Sequence, residues 1–191
     1  MKKIIILFLI LIFCGLNKSF ADENCALRDY TEIIIPQGTF IPVINSQEIS
    51  TFYSDIGTKV QFICPTDLYI YETNVIPTNS EIFGYIEQLR EPIAGTNASM
   101  KIKVVRLKLP DGTILPMRGY IYTKKGNIIG GEQTAPASYD TKPSFRQGCK
   151  KAVGYVPGAS RKMGEHKTIA PGTDLLVVLT GPIYITHTVT N

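Results

Sequence analysis

The chain has no tryptophan, only two histidines and only four cysteines among its 191 residues. Neither histidine, His166 in "GEHK" or His187 in "ITHTV", belongs to an H-E-x-x-H pattern or to a Cys/His ligand spacing, which excludes the commonest zinc chemistry. No P-loop, G-x-S-x-G elbow or paired-glycine fingerprint follows a strand pattern, so no cofactor or metal is expected. A membrane-spanning run is missing too. The one unbroken apolar stretch, Ile4 to Phe13, falls well short of the ~20 residues a spanning helix needs.

What stands around that stretch explains it. Lys2 and Lys3 precede it, and Ser19-Phe20-Ala21 follows a polar stretch, the pattern of a secretory signal peptide cleaved after Ala21. We therefore expect export across an inner membrane, to the periplasm or an outer-membrane association. A rival start at a lipidated Cys14 has bulky Phe13 where such signals want a small residue. Residues 22–191 suit one β domain. Removing Lys2, Lys3 and Lys18 leaves 20 − 3 = 17 Lys+Arg against 16 Asp+Glu, so no bulk basic signal for nucleic acid survives. Export places Cys25, Cys64 and Cys149 where disulfides persist. Cys25 and Cys149 lie in polar, loop-like surroundings and form the favoured bridge. Cys64 ends the alternating "VQFIC" and reads as a packed thiol, although spacing alone leaves the connectivity open.

Period-two alternation dominates what is present: "TKVQFIC" (58–64), "DLYIYET" (67–73), "ASMKIKVVRLKL" (98–109), "DLLVVL" (174–179) and "PIYITHTV" (182–189). Such short strands, punctuated by Gly, Pro, Asn and Asp, describe an all-β barrel or sandwich. The alternation slips at Val105-Arg106, which suits a β-bulge or a boundary between two strands. "SEIFGYIEQLREP" (80–92) is the best helix candidate, with Gly84 interrupting it. Four turns share one outline, "PQGT" (36–39), "PTNS" (77–80), "PDGT" (110–113) and "APGT" (170–173). Pro suits the first central turn position, Gly or Asn accepts positive φ, and Thr or Ser closes the turn. Their unequal spacing rules out a regular repeat.

Residues 123–168 read instead as a long irregular insertion. Its part 141–167 holds seven basic residues, among them Arg146, Lys150, Lys151, Arg161 and Lys162, against Glu165 alone, which leaves the rest of 22–191 at net −5. These five are the candidate partner-binding residues. The stretch could meet anionic lipid headgroups, an acidic protein or an anionic polymer, and ordinary solubilising charge on a solvated loop explains it equally well. Asp67, Glu72, Glu81 and Glu87 show no spacing that demands catalysis, so we expect no enzyme.

The order of the motifs resembles the C-terminal β-barrel domain of the TrbI-like family of conjugal-transfer and type IV secretion channel proteins. "GTFIPVINSQEIST" (38–51) supplies its opening strand through Gly38, Thr39, Ile41 and Pro42. "GTKVQFICPTDLYI" (57–70) supplies Gly57, Val60 and Asp67. "VIPTNSEIFGYI" (75–86) supplies Ile76, Pro77, Ser80 and Gly84, with Asn79 in place of the usual Gly. "LKLPDGTILPMRGYI" (107–121) supplies Pro110, Asp111 and Gly112, and 168–185 resembles the closing strand pair. The resemblance implies assembly with other envelope or secretion-apparatus proteins, or with further copies of the chain. The family's tail, inner-membrane helix and Pro-rich segment have no counterpart in this sequence. The polar 123–168 stretch stands where the family has paired apolar helices, so no pore is expected. Two rival expectations remain: a periplasmic ligand- or glycan-binding domain using Tyr69, Tyr71, Tyr85 and Tyr120 at a barrel mouth, and a minor hydrolase using His166 or Cys64.

Overall fold

The computed structural model describes residues 30–146 and 149–188. Among them are fifteen strands and no helix. In chain order these are β1 (Tyr30–Ile35), β2 (Phe40–Asn45), β3 (Ile49–Ser50), β4 (Lys59–Ile63) and β5 (Leu68–Ile70). Then come β6 (Thr73–Ile76), β7 (Glu81–Arg90), β8 (Ser99–Lys108), β9 (Ile114–Tyr122) and β10 (Ile129–Gly130). The last are β11 (Tyr139–Arg146), β12 (Cys149–Pro157), β13 (Thr168–Ile169), β14 (Asp174–Leu179) and β15 (Ile183–Thr188). Residues Glu32–Thr186 form one compact unit.

Of the two expected all-β architectures the structure is the barrel. The antiparallel order β8-β7-β4-β2-β14-β9 closes when β9 pairs back onto β8, a ring of six strands that β10 extends at β8. Alternation makes the interior. Ile41 and Val43 of β2, Val60 and Phe62 of β4, Ile82 and Ile86 of β7, and Ile102 and Val104 of β8 are all buried. Small barrels are filled by such side chains, and these form one core cluster. Between β4 and β2 the seam is short, only Ile44↔Ile63 and Asn45↔Phe62. Continuing that register would set Pro42 against Pro65, and neither has an N–H to donate, so the ladder stops there.

Two glycines let four strands approach closely. Gly84 of β7 and Gly119 of β9 both pair with Val104 of β8. A Cβ on Gly84 would lie 2.4 Å from the Lys103 carbonyl oxygen, and one on Gly119 would lie 2.6 Å from that of Val178. Beside them the slip at Val105 proves to be a bulge inside one continuous strand, because β8 shifts register there against both β7 and β9.

Several expectations change. Residues 80–92 form no helix but the long strand β7, and "DLYIYET" is not one strand: it breaks at Tyr71 (φ 54°) into the β5–β6 hairpin. In three of the four shared turns the closing hydroxyl caps the first carbonyl. Thr39 Oγ1 donates to the Pro36 oxygen at 2.8 Å, Ser80 Oγ to Pro77 at 2.5 Å, and Thr173 Oγ1 to Ala170 at 2.7 Å. Proline occupies the first corner of the first two turns, not the first central position; only "APGT" and "PDG" place it centrally. "PDGT" differs again. The Gly112 amide bonds the Leu109 carbonyl and Thr113 bonds the Asp111 carboxylate, a three-residue hairpin between β8 and β9 with Gly112 at positive φ. The insertion is also more ordered than its composition suggests, because β11 and β12 pair through most of its middle.

The antiparallel ring gives the barrel two unlike ends. The turns at 36–39, 77–80 and 109–113 and the β14–β15 connection close one end. The 51–58 loop, the 91–98 loop and the described parts of 123–168 lie at the other.

Candidate functional site

The elaborated end is built around an arm. Among the described residues its strands β11 and β12 pair with each other and with no other strand, from Tyr139↔Pro157 to Arg146↔Cys149. The exposed Tyr139 and Tyr155 show that its stem has little cover. The arm's base is firmly held. The Gly158 amide bonds the Ser138 carbonyl at 2.9 Å and the Ala137 amide bonds that of Ser160 at 2.9 Å. Loop 93–98 knits both legs to the barrel: on one side Thr134 donates to the Gly95 carbonyl at 3.0 Å, and on the other Gly95 donates to Lys162, Gly164 to Ile93 and Ala98 to Glu165, each at 3.0 Å.

The five nominated cations separate accordingly. Arg146, Lys150 and Lys151 fall on the distal arm, and their side chains lie outside the described residues, as do Cys25, the Cys149 thiol and Cys14. Arg161 is exposed but tethered. Its Nη1 donates to the Thr134 carbonyl at 3.2 Å, and Thr134 Oγ1 donates to the Lys162 carbonyl at 2.8 Å, so both residues help to fasten the base. The Lys162 side chain is exposed.

The four tyrosines are not gathered at a mouth. Tyr69 and Tyr71 stand exposed on the β5–β6 hairpin, near the plain end. Tyr85 and Tyr120 lie on the outer wall across Lys103 of β8. On that wall β7 shifts register between Ile86 and Gln88, and Glu87 is the extra residue. Its carboxylate meets Lys101 Nζ at 2.9 Å and Lys103 Nζ at 3.3 Å, accepts from the Tyr120 hydroxyl at 3.3 Å, and Lys101 caps the Tyr120 ring at 4.2 Å. The hydrogen bond from Lys101 is the main cause holding Glu87 below the ordinary glutamate range, and the same bond raises Lys101. This network was not singled out from sequence, although the alternating lysines of "KIK" hinted at it.

Of the two hydrolase candidates, one is buried in the core and the other stands at the elaborated end. Cys64 is a free thiol in the core, and burial pushes its pKa up to about 12, the opposite of nucleophile activation. His166 Nδ1 lies 3.3 Å from Thr51 Oγ1 and 4.0 Å from Glu91 Oε2, and its ring stands edge-on to Phe52 at 4.9 Å.

Two of the hollows in the surface join residues from several elements. A largely apolar groove of about 630 Å³ follows the proline-terminated seam, lined by Pro42, Pro65, Tyr122 and Leu176, with Lys124 and Asp174 among its polar groups. A second, of about 550 Å³, lies at the elaborated end and contains Arg90, Ser99 and Lys125. Sequence reading missed both, since each joins residues from distant strands.

No protein-family model matches the chain, and no curated protein matches its sequence. Among solved structures, the chain is similar to ComB10 of the Com type IV secretion system of Helicobacter pylori, at 13% identity and a TM-score of 0.49, over 82% of this chain and 97% of that one.

Proposed function

We propose that the protein is an exported, non-enzymatic scaffold or binding module of the cell envelope, and that its arm is the contact element. One observation carries this. A two-stranded ribbon is marginal in water by itself, yet here one stands apart from the barrel wall with exposed tyrosines on its stem. Its base is fixed by backbone hydrogen bonds that set its direction. A rigid mount for an otherwise unsupported basic ribbon suits docking against an acidic partner, with the filled barrel serving as its platform. The TrbI-like motif order supports a place beside other envelope or secretion-apparatus proteins or further copies of the chain. The leader-like segment 1–21 supports export.

The test is co-purification and envelope fractionation of a Lys150→Gln/Lys151→Gln/Lys162→Gln variant. Arg161 stays in place because it fastens the base. Partner retention should fall at least tenfold with folding unchanged. Retention equal to the parent protein would refute a role for the arm's charge.

A further inference from the structure

We infer that the hollow at the elaborated end binds a phosphate ester. It lies outside the barrel wall, where β7, β8 and β10 run side by side, with Arg90 paired to Ser99 and Ser99 to Gly130. Its volume of about 550 Å³ suits a headgroup-sized molecule. Two cations from different elements line it, Arg90 at the end of β7 and Lys125 on the turn after β9, together with the hydroxyl residues Thr96 and Ser99.

Arg90 pairs with no carboxylate among the described residues. Lys125 holds Glu132 only loosely, at 3.7 Å with both side chains about half exposed, so it can exchange that partner for a ligand. The acid in the lining, Glu91, is 69% exposed and lies 4.0 Å from His166. Ser99 is largely buried, at 8% exposure, and lies against Gly131, where an added Cβ would stand 3.4 Å from the serine Cβ. A guanidinium, an ammonium and hydroxyls from separate elements suit a tetrahedral anion with several acceptor oxygens. Exposed Ile93 and Ile128 line the same hollow and offer apolar contact to the rest of the molecule. The shared chemistry is a phosphate ester on a partly apolar body, which a phospholipid headgroup or a soluble sugar or glycerol phosphate could supply. None of this depends on the arm's role.

The experiment titrates the purified protein by calorimetry with glycerol 3-phosphate, and by flotation with phosphatidylcholine vesicles with and without phosphatidylglycerol. Binding is expected in at least one phosphate arm, weakened tenfold or more by Arg90→Gln and less by Arg90→Lys, with an unchanged melting midpoint. Lys125→Gln, on an exposed turn, repeats the test independently of β7. Binding to glycerol 3-phosphate assigns the soluble ester; binding to phosphatidylglycerol vesicles alone assigns the lipid. No binding in either arm overturns the inference, as does binding that both Arg90→Gln and Lys125→Gln leave unchanged.

Discussion

Replacing Gly84 by alanine tests the barrel through the sign of its effect. In a helix, alanine is better than glycine by about 1 kcal/mol, so a helical 80–92 segment would gain stability. In β7 the new methyl would sit 2.4 Å from the Lys103 carbonyl oxygen, 3.2 Å from its carbon and 3.3 Å from Val104 Cα. All three are backbone atoms, so no rotamer change relieves the clash. Overpacking of this kind costs about 1–3 kcal/mol. The reduced freedom of the unfolded chain returns about 0.4–1 kcal/mol. Because the clash is with backbone, the upper part of that overpacking range applies, about 2–3 kcal/mol. The net loss is therefore about 1–2.5 kcal/mol, and the melting midpoint at this chain length falls by roughly 2–10 °C. Thermal and urea unfolding followed by circular dichroism should show the fall with an unchanged urea slope. A midpoint that rises or stays constant would refute the close β7–β8 approach.

At Asn79 the backbone is left-handed (φ 63°) without a glycine. Asn79→Gly should change stability by less than about 0.5 kcal/mol, whereas Asn79→Val should cost about 1–2 kcal/mol in urea unfolding. Glu87 has its folded-state pKa lowered, chiefly by Lys101, so it stabilises the fold above the ordinary glutamate value of about 4.3 and loses that contribution as pH falls through the lowered value. Melting midpoints of the parent and Glu87→Gln should therefore differ near neutral pH and converge in acid; a gap independent of pH would contradict the pairing.

The parts of the fold legible in sequence are those with one buried and one solvated face. "TKVQFIC" and "DLLVVL" alternate because β4 and β14 do, and the slip at Val105 was visible because the bulge moves the apolar phase. Strand β7 imitated a helix for a physical reason. Ile82 and Ile86 keep period two, but the extra residue Glu87 turns the partly buried Leu89 against the core cluster, leaving apolar positions at 82, 86 and 89. The β5–β6 hairpin hid behind Tyr71, a bulky residue in a left-handed turn where glycine is the usual signal. The arm hid because a ribbon with no core beneath it needs no alternating apolar face. Of the candidate site, the clustered charge was readable. The role of Arg161 was not, because its partner Thr134 lies 27 residues away.

Excising the arm tests the central claim most directly. The Gly158 amide and the Ser138 carbonyl already stand 2.9 Å apart, so Tyr139–Pro157 can be replaced by two glycines without moving the base. Because β11 and β12 pair only with each other, the shortened protein should keep the parent's β-sheet circular dichroism and unfold within a few degrees of it, while co-purification of its envelope partner is lost. An unfolded product, or a folded one that retains its partner at the parent's level, would contradict the separation of barrel platform from contact arm.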